Sequence, residues 1–131
     1  MSLVYDHPSL GRFQEQRVGF ARYVVGQGAW MQQPIILRAT GGADPNCWVR
    51  RCSIEVLEIL FEDQVHWTKQ AQQIVMRELP NLAEIAPQLE DISPEEFWNS
   101  VHLESIRTDD DLNYEFKFGL GDLIADKKLL V

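Results

Sequence analysis

Histidines and carboxylates are the side chains here that could do chemistry, and their spacing decides which chemistry that would be. The chain has three histidines, His7, His66 and His102. Asp63 stands three residues before His66, and Glu62 four before it. On a helix, an acidic residue one turn before a histidine can chelate a metal ion. Di-metal bundles, however, need two such motifs and two further carboxylates on separate helices. Only one is present, so a surface pair on a solvated helix face is expected and no metal is assigned. The three histidines are distant in sequence and fall in no metal-ligand or triad spacing. Ser105 follows His102 by three residues, but the Gly-x-Ser-x-Gly frame of a nucleophile elbow is missing. A catalytic histidine would have to be assembled by the fold; for a small enzyme or ligand-binding domain with a pocket between sheet and helices, Glu62, His66 and His102 are the first residues to test. No catalytic or cofactor-binding residue is assigned.

The remaining carboxylates gather in two clusters. Glu90, Asp91, Glu95 and Glu96 form one, and Asp109, Asp110 and Asp111 the other. A calcium loop needs a glutamate at its twelfth position. Counted from Asp109 that position is Leu120, so the calcium reading fails. Two readings stay open: capping and solvation, or an acidic surface for a basic protein partner. In the second, Glu95, Glu96, Asp109, Asp110 and Asp111 are the contact residues. The chain carries 20 acidic and 12 basic side chains, a formal net charge of −8. Phosphate backbones and anionic lipid repel such a chain, so neither nucleic acid nor membrane is expected as a partner. The spot formed by Trp48, Arg50 and Arg51 does not reverse that. Gly41-Gly42 lacks the following Gly-Lys-Ser/Thr of a phosphate loop, and Gly26-x-Gly28 is too short for a dinucleotide fingerprint.

At 131 residues the chain fits one domain, 1–131. A domain of that size buries about two-thirds of its unfolded surface. Its apolar fraction is 45% and its charged fraction 24%, ordinary for a globular protein. Trp30, Trp48, Trp67 and Trp98 read as core or core-edge residues, and Phe13 as core or edge. No stretch approaches the roughly 20 apolar residues of a membrane span, and no signal peptide is visible. Cys47 and Cys52 lie five apart, about 140° around a helix, so they do not face each other. Without paired CxxC motifs they read as reduced, buried thiols of a cytoplasmic protein.

The elements follow from periodicity. Residues 10–25 read as strand, with Phe20, Tyr23, Val24 and Val25 as formers and Gly26-Gln27-Gly28 as punctuation. Pro34 to Thr40 is the clearest early strand, and the two suggest an antiparallel pair. Asp44-Pro45 is a helix start. A helical tract then runs to the neighbourhood of Pro80, with Leu57, Leu60, Phe61, Trp67, Ala71, Ile74 and Val75 on one face. Glu55, Glu58, Glu62, His66, Lys69, Gln73 and Arg77 fall on the other. A break near Glu62-Asp63 is expected, with Asp63 capping a second helix. Cys52 to Val56 as a short strand is the weaker rival. Asn81 to Pro87 forms a further short helix. Ser93 caps a helix over Pro94–Ser100, with Glu96 at capping-box spacing.

The last third switches to alternation. Leu103-Glu104-Ser105-Ile106, then Leu112 to Phe118, then Gly121-Asp122-Leu123-Ile124 give strands over 101–107, 112–118 and 122–131. Asp109 to Asp111 turn between the first two, and Gly119 and Gly121 mark a bulge or tight bend. This meander resembles uncharacterised small bacterial α+β families, some of whose relatives look like immunity proteins that neutralise a toxin from a neighbouring cell. The resemblance lies in the meander and in the element order, and departs after Asp122, where Ala125-Asp126-Lys127-Lys128 reads as a polar turn. It implies no site residues. The expected fold is α+β, with an antiparallel sheet of about five strands packed on one face by the central helical tract. The expected function is non-enzymatic protein binding, with an immunity-type inhibitor of a basic toxin domain as its specific form. The alternative is a small enzyme or ligand-binding domain with a pocket between sheet and helices. An edge-to-edge homodimer is the third reading.

Overall fold

The computed structural model describes residues 4–19, 21–40, 51–109, 113–120 and 128–131. The fold is α+β. Four strands come first: β1 (Val4–His7), β2 (Gly11–Val18), β3 (Ala21–Trp30) and β4 (Gln33–Thr40). Three helices follow, α1 (Arg51–Glu62), α2 (Gln64–Ile85) and α3 (Pro94–Ser100). A single 3-10 turn, Pro87–Leu89, separates α2 from α3. The chain closes with β5 (His102–Thr108), β6 (Tyr114–Gly119) and β7 (Lys128–Leu130). The sheet has seven strands in chain order. β1–β2, β2–β3, β3–β4 and β6–β7 pair antiparallel, and β4–β5 pair parallel. Parallel neighbours need a long crossover, which the three helices supply. Among the described residues no helix is long and apolar enough to cross a membrane.

Two compact units divide the chain: residues 1–64 with 105–115, and residues 65–104 with 116–131. In the first, register sets a row of inward side chains. Phe13 pairs with Gly26, Gly26 with Leu37, and Leu37 with Ile106. Phe13, Leu37 and Ile106 are each 0% exposed. The next inward row, Val24, Ala39 and Thr108, is buried as well. That row starts from Glu15, opposite Val24. Glu15 Oε2 lies 2.7 Å from Arg22 Nε, an ion pair formed inside the β2–β3 hairpin.

Two glycines let aromatic rings approach the backbone of this face closely. A Cβ on Gly26 would meet Phe13 Cδ1 at 2.8 Å and the Arg12 carbonyl oxygen at 2.9 Å. A Cβ on Gly28 would meet Leu37 Cδ1 at 3.1 Å and Phe61 Cζ at 3.2 Å. Phe61 therefore reaches the sheet from α1 through the gap that Gly28 leaves. Trp30 braces it edge-on, ring centroids 5.1 Å apart.

In the second unit, Ala71, Val75, Leu79 and Leu82 are the buried stripe of α2, at the spacing of one helical face. Ser93 caps α3: its Oγ accepts from the Glu96 N–H at 3.2 Å. Pro94 opens the helix, where its missing N–H is harmless. Phe97 is fully buried, and Trp98 meets Phe118 of β6 edge-on at 5.7 Å.

Several expectations change. The sheet has seven strands and not about five, and one of its pairings is parallel. Residues 10–25 hold parts of two strands. The two-residue link between paired Val18 and Ala21 opens on Gly19, whose φ of +63° lets the chain reverse. β3 then runs straight through Gly26 and Gly28, which are sites of close packing and not punctuation. The real turn is Met31-Gln32, with φ of +50° and +69°, where two-residue hairpins usually place Asn-Gly. β1 is only four residues long and carries no clear alternation.

α2 continues through Pro80 to Ile85, absorbing the separate helix expected over 81–87. An interior proline costs about 3 kcal/mol. Burial of Leu79 and Leu82 on either side offsets it. Ile74, expected inward, is 41% exposed. The break at Asp63 and the helix at Pro94–Ser100 are as expected, and Cys52 to Val56 is helical. β7 spans three residues of the expected 122–131; residues 121–127, like Asp44-Pro45, Cys47 and Trp48, lie outside the described residues.

Gly26→Ala should lower stability by about 1–3 kcal/mol, the usual cost of overpacking. A urea titration measures it. Phe13→Leu in the same chain should recover part of that loss, because the ring is one of the two obstacles.

Candidate functional site

His7 ends β1 and is 9% exposed. The link to β2 is Pro8-Ser9-Leu10, and Gly11, with φ of +93°, resumes the pairing opposite His7. The imidazole Nδ1 accepts from the Leu10 N–H at 2.9 Å and from the Ser9 N–H at 3.1 Å. A backbone N–H can only donate, so Nδ1 carries the lone pair and Nε2 the proton. Nε2 lies 2.7 Å from Glu58 Oε1 and donates to it. One side chain thus closes the β1–β2 turn and ties it to the middle of α1.

Beside this network lies an open cleft of about 680 Å³. Tyr5, His7, Ser9, Glu58, Phe61 and Glu62 line it. Ser9, His7 and Glu58 have the residue types of a hydrolytic triad, but their roles are otherwise engaged. Ser9 Oγ sits 3.3 Å from Nδ1, whose single lone pair already serves the closer Leu10 N–H. The Ser9 and Leu10 N–H groups, natural candidates for an oxyanion hole, point at the ring. The cleft's charged groups are carboxylates, and Tyr5 and Phe61 add aromatic surface. Glu58 keeps a second carboxylate oxygen, and Glu62 has no partner among the described residues. Gln64, at the cleft's end, accepts from the Met31 N–H at 2.7 Å and donates to the Ala29 carbonyl at 3.5 Å. That clasp holds the strained β3–β4 turn.

The residues expected to contact a partner fall in both units. Glu95 and Glu96 are exposed in the first turn of α3. Asp109 is engaged within its own turn: its carboxylate accepts from Asn113 N at 3.0 Å and Asn113 Nδ2 at 3.3 Å. Asp110 and Asp111 lie outside the described residues. Of the three residues named to test a pocket, only Glu62 lines the cleft. His66 is exposed on α2, 3.3 Å from Gln70 Nε2 and edge-on to Trp67. His102 is exposed beside Glu104, at 3.6 Å. Among the described residues no group of three or more His, Cys, Asp or Glu is placed to hold a metal ion.

Glu104 on β5 bonds Lys128 on β7. The bond to Lys128 lowers the Glu104 pKa below its ordinary value; burial works against this, and the charges of Lys128, His102 and Lys117 work with it. His7 and Glu58 were missed as a pair because 51 residues separate them. The one local sign was turn composition, His7-Pro8-Ser9 ahead of Gly11, following a short apolar-aromatic run.

No family model, curated protein or solved structure matches the chain.

His7→Leu should cost about 2 kcal/mol, since it removes the acceptor for two N–H groups and the donor to Glu58. Ser9→Ala should stay within about 0.5 kcal/mol. Thermal melts of both variants test whether the histidine is the structural member.

A carboxylate whose folded pKa is lowered stabilises the fold above its unfolded pKa and loses that contribution as pH falls through the folded value. Wild type should therefore exceed Glu104→Gln in urea midpoint near pH 7. The gap should close below the ordinary glutamate value of about 4.3.

Proposed function

We propose that the protein is a binding module for a basic protein partner, of the kind an immunity-type inhibitor of a basic toxin domain would be. The observation that carries this reading is the carboxylate-lined cleft: two carboxylates on one face of α1, without a cation partner among the described residues, beside a histidine whose donor and acceptor are both engaged. A net charge of −8 favours the encounter with a basic protein. The exposed Glu95 and Glu96 supply further negative charge at the start of α3. The ligand-binding alternative shares the same cleft. The hydrolytic form of that alternative is disfavoured, because activating Ser9 would require releasing the Leu10 N–H from Nδ1.

Affinity purification from the native host at low and moderate salt tests the proposal. One stoichiometric basic protein is expected, its binding weakened by salt as screening predicts. Glu95→Lys with Glu96→Lys should weaken it further, by about tenfold at low salt. Recovery of no basic protein at either salt concentration would end this reading.

A further inference from the structure

We infer that the cleft between the β1–β2 turn and α1 seats an arginine side chain, a proposal that rests on the binding reading above and names the chemistry of its contact. Glu58 and Glu62 are four residues apart on α1, so their carboxylates share one helix face and repel each other. Neither has a cation partner among the described residues, and the sole hydrogen bond of Glu58 is to a neutral imidazole. A positive group between them removes that repulsion.

The other cleft groups select the kind of cation. The Ser9 and Leu10 N–H groups and the His7 Nε2–H are all directed within the network, so none of these three donors is left for an anion. Tyr5 and Phe61 add ring surface. The Phe61 ring is held in place by the Gly28 gap and by Trp30. A guanidinium suits this lining better than an ammonium. It is planar, carries five donors in a fork that can bridge two carboxylates, and stacks on aromatic rings. The Glu58 side chain is 42% exposed, so its carboxylate is reachable from solvent while still anchored to His7.

The test is an NMR titration of the isotope-labelled protein with the capped tripeptide acetyl-Gly-Arg-Gly-amide, with its lysine and citrulline counterparts as controls. Shifts should concentrate at residues 5–10 and 58–64, with arginine binding more tightly than lysine and citrulline, the neutral isostere, not binding. Glu62→Gln, at a side chain with no hydrogen-bond or ion-pair partner among the described residues, should weaken arginine binding by about three- to tenfold. Glu58→Gln retains an acceptor for His7 and should weaken it comparably, with a thermal melt confirming the fold. Shifts confined to other residues, equal binding of citrulline, or unchanged affinity in both variants would overturn the inference. A purified basic partner that binds both variants as tightly as wild type would also overturn it, while leaving the binding reading intact. Glu62-dependent binding of the arginine peptide with no protein partner recovered would uphold the site and remove the binding reading, leaving a free guanidino compound as the occupant.

Discussion

A neutral imidazole has one donor and one acceptor, and at His7 the fold commits both. Nδ1 gathers the N–H groups of the β1–β2 turn, and Nε2–H reaches Glu58 on α1. Because a hydrogen bond to a charged acceptor is short and directional, this contact fixes where α1 stands against the first hairpin. Phe61, one turn of α1 beyond Glu58, then meets the sheet where Gly28 leaves room. Gln64, just past the helix break, reaches the β3–β4 turn. The cleft is what remains between these attachments.

The sheet face beneath α1 follows from a second constraint, the close approach of rings to backbone. Phe13 occupies the space a side chain at position 26 would need, and its neighbours in the row, Leu37 and Ile106, complete a dry strip across four strands. The ion pair of Glu15 and Arg22 ends this face inside the same hairpin, with side chains only 9% and 8% exposed. Such a pair adds little net stability, because desolvation opposes the attraction, but losing one partner would strand the other.

Sequence patterns revealed the helices better than the strands, for physical reasons. The α2 stripe repeats over several turns, and Ser93-Pro94 with Glu96 is a local capping signal, so both were legible. Asp63 marked the break between α1 and α2 by composition alone. The early strands were harder. Glycine inside a strand and glycine at a turn look alike in sequence, so Gly26 and Gly28 read as a boundary when they are packing hollows. The true turn at Met31-Gln32 has none of the usual residues, because Gln64 holds it from outside. The parallel β4–β5 pairing also leaves no local mark, since it depends on where a sixty-residue crossover returns, roughly as any such connection does. The candidate site was illegible for the same reason: His7 and Glu58 are joined only by the fold. Glu62 was singled out, both beside His66 and as a residue to test for a pocket, but in the company of His66 and His102, which do not line the cleft.

The functional account depends on the protonation pattern of one ring. With Nδ1 as acceptor, Ser9 lacks a base, which favours the proposed reading of the cleft as a cation-binding site. With Nδ1 protonated, the turn loses its cap, and the argument against a nucleophilic Ser9 would fail. Long-range proton–nitrogen correlation spectra of the histidine rings, assigned by comparison with a His7 variant, read this directly. The account predicts a single neutral Nε2–H tautomer for His7. A dominant Nδ1–H tautomer, or an averaged mixture of the two, would contradict it.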